Sequence, residues 1–177
     1  LKTDIKECCK SAKQLEINWK GKIATISANQ LVKVIVDYEL ILERLGKVSS
    51  HAQLLFAANT VDPAIAKHHQ SVREVGAEVV AALLFVELEL ARIDEKQMRS
   101  LLKDTELSKF GPWLRRVRAM APYQLSDDIE KMIAERAPTG SGAWVRLFDE
   151  TTTSMRFAFR GAEVTEAEIL DALSSSD

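Results

Sequence analysis

The sequence predicts a mainly α protein, a multi-helix bundle built on long antiparallel helices with one small β-hairpin near its C-terminal end. Three observations predict it. From Asp62 to Arg92 no residue breaks a helix except Gly76, and at about 1.5 Å per residue such a stretch makes a rod of roughly 45 Å. From Asn29 to Leu45 apolar residues recur at helical spacing. At Thr151 the character changes to a β-branched, aromatic and alternating run.

Residues 1 to 20 read as a first helix, with Ile5, Cys8, Cys9, Ala12 and Leu15 on one side, Trp19 just after, and Gly21 as its stop. The second helix spans Asn29 to Leu45. Leu31, Val34, Ile35, Tyr38, Ile41, Leu42 and Leu45 form one stripe, and Val32, Val36 and Leu40 form another on the opposite side. Gly46 reads as its C-terminal stop or bend. A separate helix is then expected from Ser49 to Ala58, and Asn59-Thr60-Val61-Asp62-Pro63 is the turn into the long helix. Asp62 suits the cap of that helix and Pro63 its first position.

On the long helix Val72, Val79, Val80, Leu83, Leu84, Leu90 and Ala91 share a wide arc, while Glu74, Glu78, Glu89 and Arg92 lie opposite. Two residues lie on the wrong side. Glu87 stands within the apolar arc and Phe85 among the carboxylates.

Beyond Arg92, Asp94 caps a short helix through Leu102 and another runs from Lys109 to Ala119. Arg115, Arg116 and Arg118 make a small basic cluster, better explained by solvent or nearby carboxylates than by an anionic ligand. Pro122 breaks that helix, and Ser126 caps Asp127 to Arg136. Ala137 to Gly142 is a loop whose glycines fit neither common nucleotide fingerprint. A helix starts at Ser141. The hairpin is expected at about 152–165, and Thr165 with Glu168 forms a capping box for a last helix. The tail from Ser174 to Asp177 is expected to fray. All 177 residues are expected to make one helical domain.

With 46% hydrophobic and 28% charged residues the chain can bury a core. Its 24 basic and 26 acidic residues give a net charge of −2, which argues against a nucleic-acid partner. The two cysteines are adjacent, which points to a reducing cytoplasmic setting; no stretch has membrane-spanning length and no signal peptide is visible. The chain begins at Leu1 rather than Met and is read as a piece of a longer protein.

Known chemistry is hard to place. His51, His68 and His69 lack the His-Glu-x-x-His spacing that puts two imidazoles on one helix face. Cys8 and Cys9 have no second cysteine pair to complete a zinc site, and no Gly-x-Ser-x-Gly elbow occurs. No catalytic residue and no metal ligand is therefore assigned in this chain. Glu87 in its apolar arc reads as a general base or as a structural carboxylate, paired or hydrogen bonded; the structural reading is preferred.

A series of short matches carries a family resemblance. Tyr38-Glu39, Glu43-Arg44-Leu45-Gly46, Ser50, Ala52, Leu54-Leu55-Phe56-Ala57 and Asp62-Pro63 are followed by Leu84-Phe85 and Glu87-Leu88-Glu89-Leu90-Ala91. Then come Trp113-Leu114-Arg115, Ala121-Pro122 and Leu125-Ser126. The strongest part is Thr139-Gly140, Ala143-Trp144, Leu147-Phe148-Asp149-Glu150-Thr151 and Met155-Arg156-Phe157. In this order they resemble the N-terminal region of oligoendopeptidase F-type zinc metallopeptidases. Tyr123 departs from the pattern, where many relatives have His.

The resemblance implies a cytoplasmic parent enzyme that hydrolyses short peptides. Its zinc and catalytic motif lie in a domain downstream in the same chain, and this region forms part of the wall around the substrate channel. The fragment alone is then inactive and binds no zinc. Val32, Val36, Leu40 and Phe85 are expected to face the catalytic domain, or a second copy of the fragment in its absence. Two other readings compete with this one: a free-standing helical interaction module without catalysis, and a helical DNA-binding regulator, which the acidic balance disfavours.

Overall fold

The computed structural model describes residues 2–60 and 62–174. Contacts group the chain into two compact units, Leu1–Arg136 and Ala137–Asp177.

The first unit is all helix: α1 (Lys2–Trp19), α2 (Ala28–Ala58), α3 (Pro63–Arg92), α4 (Glu95–Leu101), α5 (Thr105–Ser108), α6 (Gly111–Ala119) and α7 (Asp127–Arg136), with 3-10 turns at Ile23–Thr25 and Ala121–Tyr123. The α2 and α3 helices form an antiparallel hairpin. Phe56 meets His69 near the turn, Gly76 lies against Leu45, and Tyr38 reaches Glu87 at the far end. The α1 helix runs parallel to α3, since Cys9 approaches Glu78 and the turn after α1 meets Glu89.

Why α3 sits at the centre follows from its composition. From Val79 to Ala91 most residues are apolar, and Val79, Ala81, Ala82, Leu83, Phe85, Val86, Leu88, Leu90 and Ala91 are all buried. A helix buried nearly all round needs neighbours on several sides. The α1, α2, α6 and α7 helices supply them. Asp62 caps α3 as its sequence suggests, accepting from the Ala64 and Ile65 N–H groups. Asp94 does the same for α4, through Lys96 and Gln97.

Two expected boundaries are corrected in this unit. Gly46 does not stop a helix: α2 continues from Ala28 to Ala58 without interruption. A mid-helix glycine costs about 1 kcal/mol, but Leu45, Val48, Ala52 and Phe56 continue the buried stripe past it, and their burial outweighs that cost. The helix expected from Lys109 begins instead at Gly111, with Pro112 in its first turn. Lys109 and Phe110 close the preceding turn through bonds to the Glu106 and Leu107 carbonyls, behind a short helix that Asp104 caps.

In the second unit α8 (Ser141–Ser154) takes in Thr151 to Ser154, which the alternating pattern assigned to a strand. The hydroxyls of Thr151 and Thr152 donate back to the Leu147 and Phe148 carbonyls, at 2.6 and 3.0 Å. That local bonding holds a β-branched run in helix. The hairpin is shorter than the expected 152–165: β1 (Phe157–Phe159) pairs antiparallel with β2 (Ala162–Val164), Phe157 opposite Val164. Its two-residue turn has φ of +49° at Arg160 and +84° at Gly161. Positive φ at both central residues is what a tight hairpin turn of the favoured twist requires. Thr165 and Glu168 form the expected capping box for α9 (Glu166–Ser174), Glu168 accepting from Thr165 N–H and its own N–H donating to Thr165 Oγ1. Val61 in the turn before α3, and residues 175–177 of the tail expected to fray, lie outside the described residues.

Candidate functional site

The polar residue that the sequence singles out is anchored at the junction of α2, α3 and α6. Glu87 is half-buried, and its Oε1 accepts from the Tyr38 hydroxyl at 2.8 Å. The Tyr38 ring is buried and lies 5.8 Å from the Trp113 ring of α6. Burial, followed by the charge and hydrogen bond of Glu87, pushes the Tyr38 phenol well above its ordinary value, with Arg116 opposing in part. The phenol is thus held as a neutral donor to a carboxylate. The hydrogen bond links α2 to α3.

The apolar residues singled out with Glu87 divide between core and surface. Phe85 is 6% exposed and belongs to the core of the first unit, because α3 is covered on that side as well. Val32 is half-buried against the same core. Val36 and Leu40, at 39% and 47%, are the two that remain exposed. Leu40 and Ile41 border a groove of about 580 Å³ between α1 and α2, to which Leu15 and Trp19 of α1 contribute apolar floor and Glu7, Lys33, Asp37 and Arg44 a rim of mixed charge.

Histidine and cysteine positions do not converge. His51 is exposed, His68 is half-buried, and His69 is buried with its ring stacked on Phe56 at 4.7 Å. Cys8 is buried in the core, and the Cys9 thiol faces Glu78 Oε2 at 3.9 Å. Among the described residues no three His, Cys, Asp or Glu side chains come together as a metal site requires.

Three polar residues have structural roles that the sequence did not announce. Glu89, assigned to the polar face of α3, accepts from Gly21 N–H at 2.6 Å and from Ile23 N–H at 3.2 Å. It seats the turn after α1. Gly21 has φ +78° there, which a residue with a Cβ adopts only with strain. Arg118, from the basic cluster, donates to the Leu90 and Ile93 carbonyls and pairs with Glu95 at 2.8 Å, closing the C-terminal end of α3. Arg92 pairs with Asp127, tying α7 to α3, and its hydrogen bond holds the Asp127 carboxyl below the usual range. The signal for each was present only as a charge, and pairing depends on neighbours remote in sequence.

The second unit exposes apolar side chains on α8, Trp144 at 73% and Phe148 at 68%, and none of its helical or strand residues is buried.

Comparison with known proteins follows the same line as the residues. A family model described as oligopeptidase F, for the N-terminal region of M3 peptidases, matches residues 89–157. Comparison with curated proteins gave no match. Among solved structures, the crystal structure of oligoendopeptidase-F from Enterococcus faecium superposes with a TM-score of 0.80 at 15% identity, covering 99% of this chain. The chain spans 34% of the length of that protein. The likeness shows the mainly helical fold with its small hairpin, and it agrees with the resemblance carried by the sequence.

Proposed function

We propose that this chain is the N-terminal, non-catalytic region of a zinc-dependent oligoendopeptidase that hydrolyses short peptides in the cytoplasm. The observation that carries the reading is the fold likeness to oligoendopeptidase-F over 99% of the chain, supported by the family match at residues 89–157. In this reading the catalytic domain lies downstream in the same chain and holds the zinc. The helices described above form part of the wall of the substrate channel. Val32, Val36 and Leu40 then face the catalytic domain, and the second unit adds Trp144 and Phe148 as contact surface. Glu87 is a structural carboxylate, not a general base.

The test uses the full-length gene product. It should cleave short fluorogenic peptides, lose that activity to a chelator and regain it on addition of zinc. Residues 1–177 alone should do none of this. A full-length product without peptidase activity, or an active fragment, would overturn the reading. The exposed Trp144 and Phe148 favour one competing reading, a free-standing helical interaction module. A native product no larger than this chain would select that reading instead.

A further inference from the structure

Toward the turn end of the α2–α3 hairpin, Ser49, Ser50 and Gln53 of α2 face His69, Val72 and Arg73 of α3 across a pocket of about 310 Å³. The antiparallel register places them together, between the Phe56–His69 contact and the Gly76–Leu45 contact. Every polar side chain lining the pocket can donate a hydrogen bond: two hydroxyls, an amide, an imidazole and a guanidinium. No carboxylate lines it. Among the described residues, the side chains of Ser49, Ser50, Gln53 and Arg73 make no hydrogen bond or ion pair within the protein. Arg92, Arg99 and Arg118 find carboxylates in this fold; Arg73 has none beside it in the pocket.

The pocket is also held in shape. The His69 ring is 7% exposed and nearly parallel to Phe56, at 16°. Val72 is buried and makes an apolar wall. Donors gathered on two packed helices, with a guanidinium and no carboxylate among them, leave an anionic, acceptor-rich guest as the complement. An oxyanion supplies several acceptor atoms and a charge for the guanidinium.

We propose that this pocket binds a small oxyanion, a phosphate or carboxylate group, with Arg73 as its charge partner, Ser49, Ser50 and Gln53 as further donors, and the His69 ring beside it as a reporter. The site is independent of the peptidase reading, since it needs only the α2–α3 hairpin of the folded chain.

The experiment follows the histidine ring resonances of the folded protein by NMR while inorganic phosphate or acetate is added at constant ionic strength, with chloride as the balancing anion. His51 and His68 do not line the pocket and serve as internal references. The expected result is a saturable shift of His69, with His51 and His68 unmoved. Saturation by phosphate assigns the site to phosphate groups, and saturation by acetate alone assigns it to carboxylates. Arg73→Gln should weaken binding about tenfold, the worth of one charge-assisted hydrogen bond. Should that variant fail to fold, the exposed Gln53→Ala should weaken binding about threefold. Shifts that grow linearly, that appear equally at all three histidines, or that survive both substitutions unchanged would overturn the proposal.

Discussion

The Tyr38 hydroxyl donates to Glu87 across 49 residues of sequence and fixes the far end of the α2–α3 hairpin. Tyr38→Phe removes the donor and keeps the ring, so Glu87 is left half-buried without its partner. The expected loss is about 1–2 kcal/mol of stability, read from urea melts with an unchanged slope. Glu87→Gln keeps an acceptor and should cost less than Tyr38→Phe. Equal stability of Tyr38→Phe and the parent chain would show that the bond contributes nothing.

The same pair sets a pH dependence on the alkaline side. Burial and Glu87 raise the Tyr38 phenol above its unfolded value of 10.0. The folded state therefore holds a proton that the unfolded chain has already released. The stabilisation is complete below pH 10 and is lost as pH rises above it. Phenolate absorbance should show a late step that coincides with unfolding, and Tyr38→Phe should remove that step. A late step that persists in the variant would assign it elsewhere.

Glu89 accepts from two backbone N–H groups of the turn after α1. Glu89→Ala leaves Gly21 and Ile23 without their acceptor, and Ile23 is fully buried. A loss of about 2–3 kcal/mol is expected. Hydrogen exchange at these two amides should rise more than exchange at the centre of α3. Uniform acceleration across the first unit would show only global destabilisation.

Gly46 lies inside α2 with ordinary helical φ, and a Cβ added there would meet open space. Gly46→Ala should therefore stabilise the protein by about 0.5–1 kcal/mol. A destabilised variant would mean that α2 needs flexibility at this point.

How much of this was legible in the sequence depends on the kind of signal. The long helix, its Asp62 cap and the Thr165–Glu168 box were legible because each is written in neighbouring residues. The Gly46 break and the strand at Thr151 were misread because local propensity lost to burial in one case and to hydroxyl back-bonding in the other. Glu87 stood out as a charge in an apolar arc, yet its partner could not be named, since Tyr38 reads equally well as plain core. Phe85 misled for the opposite reason: a residue off the apolar arc implies surface only if the helix meets solvent at that level, and at Phe85 α3 is covered.

The parallel run of α1 and α3 has a consequence for synthesis. The carboxylate that seats the end of α1 lies 68 residues after the turn it holds. At about 5–20 residues per second, roughly 3 to 14 seconds separate the two on the ribosome. For much of that interval Ile5, Cys8, Ala12 and Leu15 lack the α3 residues that complete their cover. A nascent chain halted before Glu89 therefore leaves the turn after α1 unseated and offers the apolar stripe of α1 to chaperones.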